Sequence, residues 1–169
     1  YAVFRAVTRR YIPDYIILDI TPHSMEYNLA DYDRLSVLSP YYKKHSEIRN
    51  IVNLKGPSEK VKYLSGIYPF NSLLVQIAMG NTEAYKKRDL SADGYLPLHN
   101  VRGDGGPDTL KVGTDNIDEN KIRALKNMIA SCKKEDINLV LVFSPMWHII
   151  SDKRHTDMVR NLCTENGIQ

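Results

Sequence analysis

Apolar residues along this chain fall into two spacings, and each spacing predicts a kind of element. Residues 15–20 (YIILDI) and 138–143 (NLVLVF) are near-continuous runs of β-branched and aliphatic side chains, the length of one strand each. Unbroken rather than alternating hydrophobicity predicts strands covered on both faces, as in a parallel sheet. Helical spacing marks much of the remainder. Val3, Ala6, Val7 and Arg10 follow it at the start of the chain. Ser39-Pro40 reads as a helix start, a cap followed by proline at the first helical position, with Ile48, Ile51 and Val52 as the apolar stripe beyond. Ser58 is placed to cap a helix carrying Val61, Leu64 and Tyr68, and Asn71 to cap SLLVQIAM, ending on Gly80. Residues 116–134 predict an amphipathic helix with Ile122, Leu125, Ile129 and Cys132 on one stripe and Asp118 and Glu119 in its first turn. A last helix, TDMVRNLCTENG, closes on Gly167.

The order helix, strand, helices, helix, strand, helix is that of an α/β fold with right-handed crossovers. Residues 1–169 read as a single α/β domain, with 25–116 as a helical and irregular insertion between the strands. Residues 81–116 lack periodicity and are rich in glycine, proline and charge. A structureless stretch of this length is uncommon in a compact domain unless it is a functional lid or a disordered segment. Typical sheets have about 4–6 strands, so the strands lacking here are expected beyond the ends or within that irregular middle. The chain opens in mid-helix without a capping residue and closes on Ile168-Gln169, the first step of another strand. The expectation is a domain truncated at both ends.

Composition narrows the functions. The net charge of +3 is small and the basic residues are scattered in pairs and triplets, so no nucleic-acid footprint is expected. The longest apolar run is far below the ~20 residues that span a bilayer, and no membrane span or signal peptide is expected. Cys132 and Cys163 fall at core-facing helical positions and read as buried thiols. There is no C-x-x-C and no phosphate-binding glycine pattern, and no cofactor is implied.

Both strands end alike. YIILDI runs into Thr21-Pro22-His23-Ser24, and NLVLVF into Ser144-Pro145-Met146-Trp147-His148. Proline holds the residue before it extended and cannot donate to a sheet ladder, so each strand stops and its next residues are set on the rim. Ligands of open α/β sheets bind outside the carboxyl ends of the strands. Thr21, His23, Ser24, Ser144 and His148 are therefore the candidate substrate-binding residues. A histidine near a strand end is more often structural than reactive, and His45 and His99 are read as having no chemical role. Asp19 is a carboxylate within an apolar strand, where it would orient a loop or a histidine or mark a wetter face. Asp152 and His155 have D-x-x-H spacing, which suits a base and its orienter but arises by chance in charged loops. No G-x-S-x-G or Gly-Asp-Ser accompanies them. A metal site from Asp19, His23, His148 and His155 has no supporting spacing. Trp147, Tyr95 and Tyr85 suit stacking on sugars, with packing the commoner use.

The segments PDYIILDITPHSME, YDRLSVLSPYYKKHSEIRNIV, IYPFNSLLVQIAMGN and DGYLPL resemble a group of SGNH/GDSL hydrolase-like proteins of Bacteroides-type bacteria. The resemblance covers most of the chain, through segments particular to that group rather than catalytic blocks. It implies a three-layer α/β/α, flavodoxin-like domain and a serine esterase or O-acyltransferase acting on acylated carbohydrate, in some branches at the cell envelope. It also implies a serine from a Gly-Asp-Ser block after the first strand, and Asp and His from a D-x-x-H block after the last. Here the nucleophile block is absent and would precede Tyr1. The oxyanion loop corresponding to 15–24 has no asparagine, leaving Thr21, His23 or Ser24 as replacement donors. The catalytic pair is either Asp152 and His155 or, since a helix and an incipient strand follow them, a block after Gln169. On this reading the residues present are inactive alone. A non-catalytic SGNH-like module that binds glycan or a protein partner is the alternative.

Overall fold

Along the chain run helix α1 (Ala2–Thr8), strand β1 (Tyr15–Ile20) and helices α2 (Leu29–Arg34), α3 (Ser46–Val52), α4 (Glu59–Lys62) and α5 (Asn71–Gly80). Then come strand β2 (Thr109–Leu110), helix α6 (Glu119–Lys134), strands β3 (Asn138–Phe143) and β4 (Ile149–Ile150), and helix α7 (Arg154–Glu165). This computed structural model describes residues 1–82, 109–110, 116–143, 149–150 and 153–168. The fold is broadly α/β, and the chain divides into two units, Tyr1–Asp31 with Gly106–Gln169, and Tyr32–Gly105.

In the first unit β1 and β3 pair in parallel, in register from Tyr15↔Asn138 to Ile20↔Phe143. Period-two alternation then sends Ile16, Leu18 and Ile20, with Leu139, Leu141 and Phe143, to one face. That face packs into one apolar cluster with Phe4 of α1, Leu125, Met128, Ile129 and Cys132 of α6, and Val159 and Cys163 of α7. Burying an aliphatic side chain of this kind contributes roughly 1.5–3 kcal/mol. Cys132 and Cys163 are free thiols in this cluster, and burial pushes both thiol pKa values up, keeping them protonated. The opposite face departs from expectation. Ile17 is 73% exposed, Tyr15 and Val142 are exposed too, and so is Asp19. Among the described residues the sheet has helices on one side, so the runs of 15–20 and 138–143 reflect β-propensity as much as double cover.

A second parallel pair, Thr109↔Ile149 and Leu110↔Ile150, joins β2 to β4. Strand β2 lies inside the stretch expected to be irregular. Residues 83–108 and 111–115 of that stretch, with His99, Tyr85 and Tyr95, lie outside the described residues.

Helices α6 and α7 end in the same way. Asp136 (φ 56°) and Gly167 (φ 66°) take the left-handed conformation one residue past the caps. Ile137 N–H then donates to Cys132 O at 2.8 Å, and Ile168 N–H to Cys163 O at 3.0 Å. This is the Schellman motif, which satisfies carbonyls left open at a helix end. The expected stop at Gly167 is observed. At the front of the chain the buried residues of α1 are Ala2 and Phe4, and Val3 of the expected stripe is exposed.

The Tyr32–Gly105 unit is built from short helices and 3-10 turns. Ser39-Pro40 lies within a 3-10 segment, Leu35–Tyr41, instead of starting a helix. Ser39 is buried, and its hydroxyl bonds Tyr63 Oη at 2.6 Å. Helix α3 begins at Ser46 and buries Ile48 and Val52 as expected. The helix predicted after Ser58 lasts only Glu59–Lys62 and leaves Val61 and Leu64 exposed. Glu59 is its buried residue, and Tyr63 just beyond it is buried as well, stacking on Tyr42 at 3.8 Å and meeting Tyr68 edge-on at 5.2 Å. Glu59 receives Lys62 Nζ at 2.8 Å and Tyr68 Oη at 3.1 Å.

Candidate functional site at the carboxyl end of β1

Strand β1 ends where Pro22 makes further pairing impossible, and the chain turns at once. Ser24 N–H donates to Thr21 O at 2.9 Å, closing a four-residue turn with proline at its second position, the place where the fixed φ of proline is favourable. A side-chain link reinforces the turn. Thr21 N–H donates to Ser24 Oγ at 2.9 Å, and the two hydroxyl oxygens lie 3.0 Å apart. Thr21 is exposed, Ser24 half-buried and Pro22 buried. Thr21 and Ser24 are thus bonded to each other in one turn that also carries His23.

The partner of His23 is a residue the sequence reading passed over. Nδ1 of His23 lies 3.0 Å from Oε2 of Glu26. A second turn bond, Glu26 N–H to His23 O at 3.1 Å, draws the two residues together. Glu26 Oε1 is buried and has no hydrogen-bond partner among the described residues. The H-x-x-E spacing within a proline-initiated turn was the available signal. Asp19 stands on the exposed sheet face.

The segment after the turn is fastened to the start of α6. Asp118 N–H donates to Met25 O at 2.9 Å and Tyr27 N–H to Asn116 O at 2.7 Å, flanking an antiparallel bridge between Glu26 and Ile117. Asp118 is buried and caps α6, its carboxylate accepting from Asn120 N–H at 2.9 Å and Lys121 N–H at 3.4 Å. Lys121 Nζ reaches across to Glu26 O and to Asp31 Oδ2, each at 2.6 Å. Backbone and side-chain bonds together hold the His23–Glu26 pair to a long helix, the kind of rigid support a binding or reactive group requires.

His155 has different surroundings. It lies in the first turn of α7, on the same helix face as Val159 and Cys163, and is 2% exposed. Both ring nitrogens are buried without a hydrogen-bond partner among the described residues. Asp152, Ser144, Trp147 and His148 lie outside the described residues, so the D-x-x-H spacing and the second rim loop have no geometry to report. Among the described residues no group of three His, Cys, Asp or Glu side chains is set to hold a metal ion. No described helix is long and apolar enough to cross a membrane. Family models, curated proteins and solved structures yield no match to this chain.

Proposed function

We propose that this chain is part of an SGNH/GDSL-like serine esterase or O-acyltransferase acting on acylated carbohydrate, with its substrate at the carboxyl end of β1. The observation that carries the reading is the turn at 21–24, where two hydroxyl groups and an imidazole sit beyond a parallel strand. That is where open α/β sheets take their ligands, and the segment PDYIILDITPHSME that contains it resembles the hydrolase group. Ester chemistry there needs three things: a nucleophile, a base, and donors for the oxyanion. Of the Thr21 and Ser24 hydroxyl groups, which share one proton between them, the other proton is left to donate. The serine lies outside residues 1–169, because no Gly-Asp-Ser occurs in them, and these residues alone are inactive.

Treating the complete polypeptide with a fluorophosphonate and locating the modified residue by mass spectrometry tests this. One labelled serine outside residues 1–169 is the expected result. A folded polypeptide that takes no label removes the esterase reading.

The absence of a Gly-Asp-Ser block and of an asparagine at 21–24 favours a second reading, a non-catalytic module that binds glycan or a protein partner at the same edge. Glycan binding in a polypeptide that resists the fluorophosphonate would select it.

A further inference from the structure

We propose that the stretch from α4 to α5, in the Tyr32–Gly105 unit, is a docking surface for an anionic lipid bilayer, one that the chain lies on without crossing; the proposal is independent of the esterase reading. Val61, Leu64, Ile67, Phe70, Leu74 and Ile77 are all exposed, Leu64 by 81%. Their spacing, three or four residues at each step, places successive members on one face of a helical or 3-10 turn. The other side of α4 carries Glu59 and Tyr63, which are buried, as is Pro69 in the 3-10 turn Tyr68–Phe70. One side of the stretch is therefore packed into its unit, and the other holds aliphatic and aromatic side chains in water. Single apolar residues are ordinary on a protein surface, whereas a run of them marks a place where another apolar phase is met.

Charge selects the occupant. Residues 48–82 hold one carboxylate, Glu59, and it is enclosed and bonded to Lys62. The other charged residues there are Arg49, Lys55 and Lys60. Arg49 and Lys60 are exposed, so the charge shown to solvent is positive. No charged residue occurs from Tyr63 to Thr82. Apolar side chains with basic ones beside them suit an anionic membrane surface, where the acyl boundary takes the first and the headgroups the second. A groove in another protein fits less well. At about 100° per residue, Val75 and Met79, also exposed, lie on the side of α5 away from Phe70, Leu74 and Ile77. A groove covers one face of a helix, while the acyl boundary surrounds it. Helix α5 has ten residues. Its length of about 15 Å is half of a hydrocarbon core of about 30 Å, so it enters one leaflet only.

The test places the environment-sensitive dye NBD on the protein at Leu64→Cys or Ile77→Cys, with Lys126→Cys on α6 as the control, all three positions being exposed. Cys132 and Cys163 are buried and stay unlabelled, which mass spectrometry checks. Vesicles of phosphatidylcholine and phosphatidylglycerol in equal parts are compared with vesicles of phosphatidylcholine alone. The expected result with the anionic vesicles is a saturable fluorescence gain at positions 64 and 77, quenched by spin-labelled lipid, and none at 126. Phosphatidylcholine alone should bind roughly tenfold more weakly or less, and Lys60→Gln should weaken the anionic case about fivefold. Leu74→Ser should weaken it roughly tenfold. Exposed substitutions of this kind change stability little, and circular dichroism checks the fold. No gain with either vesicle overturns the proposal, as does an equal gain at 126 or equal affinity for the two vesicles. Dye already shielded at 64 and 77 without vesicles overturns it as well. A doubled mass in solution then assigns the patch to a second copy of the chain, and a single mass to another part of the polypeptide.

Discussion

Glu59 is buried in the Tyr32–Gly105 unit, its carboxylate hydrogen-bonded by Lys62 and by the phenol of Tyr68. Burial alone would raise its pKa. The hydrogen bonds from Lys62 and Tyr68 and the charges of Lys62 and Lys55 outweigh burial, and the pKa lies below the ordinary glutamate value. A carboxyl group whose folded-state pKa is depressed contributes stability that is complete above its unfolded-state pKa and is lost as pH falls through the folded-state value. Urea unfolding followed from pH 7 to pH 3 should therefore show a loss of stability that Glu59→Gln reduces. At neutral pH the same substitution should cost about 1–3 kcal/mol by leaving buried partners mismatched. An unchanged acid limb in Glu59→Gln would show that the carboxylate is not linked to folding. Pairs of this kind, among them Glu59 with Lys62, Glu26 with His23 and Glu47 with His45, are not marked by the sequence pattern. A carboxylate on a helix or turn surface is ordinarily solvated, and only folding reveals which one is enclosed. The hydroxyl groups of Thr21 and Ser24 were legible, because proline after a β-branched run fixes where a strand stops.

Elements long enough to bury a face were the ones the pattern located well. Strands β1 and β3 match the predicted runs residue for residue. Helix α6 differs from 116–134 only at its start, where Asp118 is the cap instead of a first-turn residue. The short elements diverged because tertiary bonds set them. Ser39 is committed to Tyr63, 24 residues away in the chain, and a hydroxyl so engaged does not cap a helix. Helix α4 is four residues long, well below the length at which intrinsic propensity sustains a helix. The ends of α6 and α7 supply a test at this scale. Gly167 and Asp136 occupy equivalent left-handed positions, with no heavy atom within 4 Å of a Cβ placed on Gly167. Gly167→Ala should cost about 1 kcal/mol from backbone conformation alone, and Asp136→Gly should stabilise by a similar amount. Thermal unfolding of the two variants, measured side by side, checks the pair. Equal and negligible shifts would mean that the left-handed caps carry no strain.

For the molecule as a whole, the α/β class and the parallel pairing followed from strand composition and helix spacing. The number of layers did not. Unbroken apolar runs predict strands covered twice, yet the face bearing Tyr15, Ile17 and Val142 is exposed. The same hydrophobic run serves a buried strand or a strand with one open face, and sequence pattern alone does not distinguish them. What the fold does secure is the edge. The turn at 21–24 is tied through Met25, Glu26 and Tyr27 to the start of α6, so both readings of function place their ligand there. The central claim is that this edge is the binding site. It is tested most directly by amide chemical-shift mapping of the protein titrated with O-acetylated xylo-oligosaccharides and, in parallel, with the deacetylated oligosaccharides. The account predicts saturable shifts at residues 21–26 and 118–121, larger for the acetylated ligand. Shifts confined to the Tyr32–Gly105 unit, or none at millimolar ligand, would contradict it.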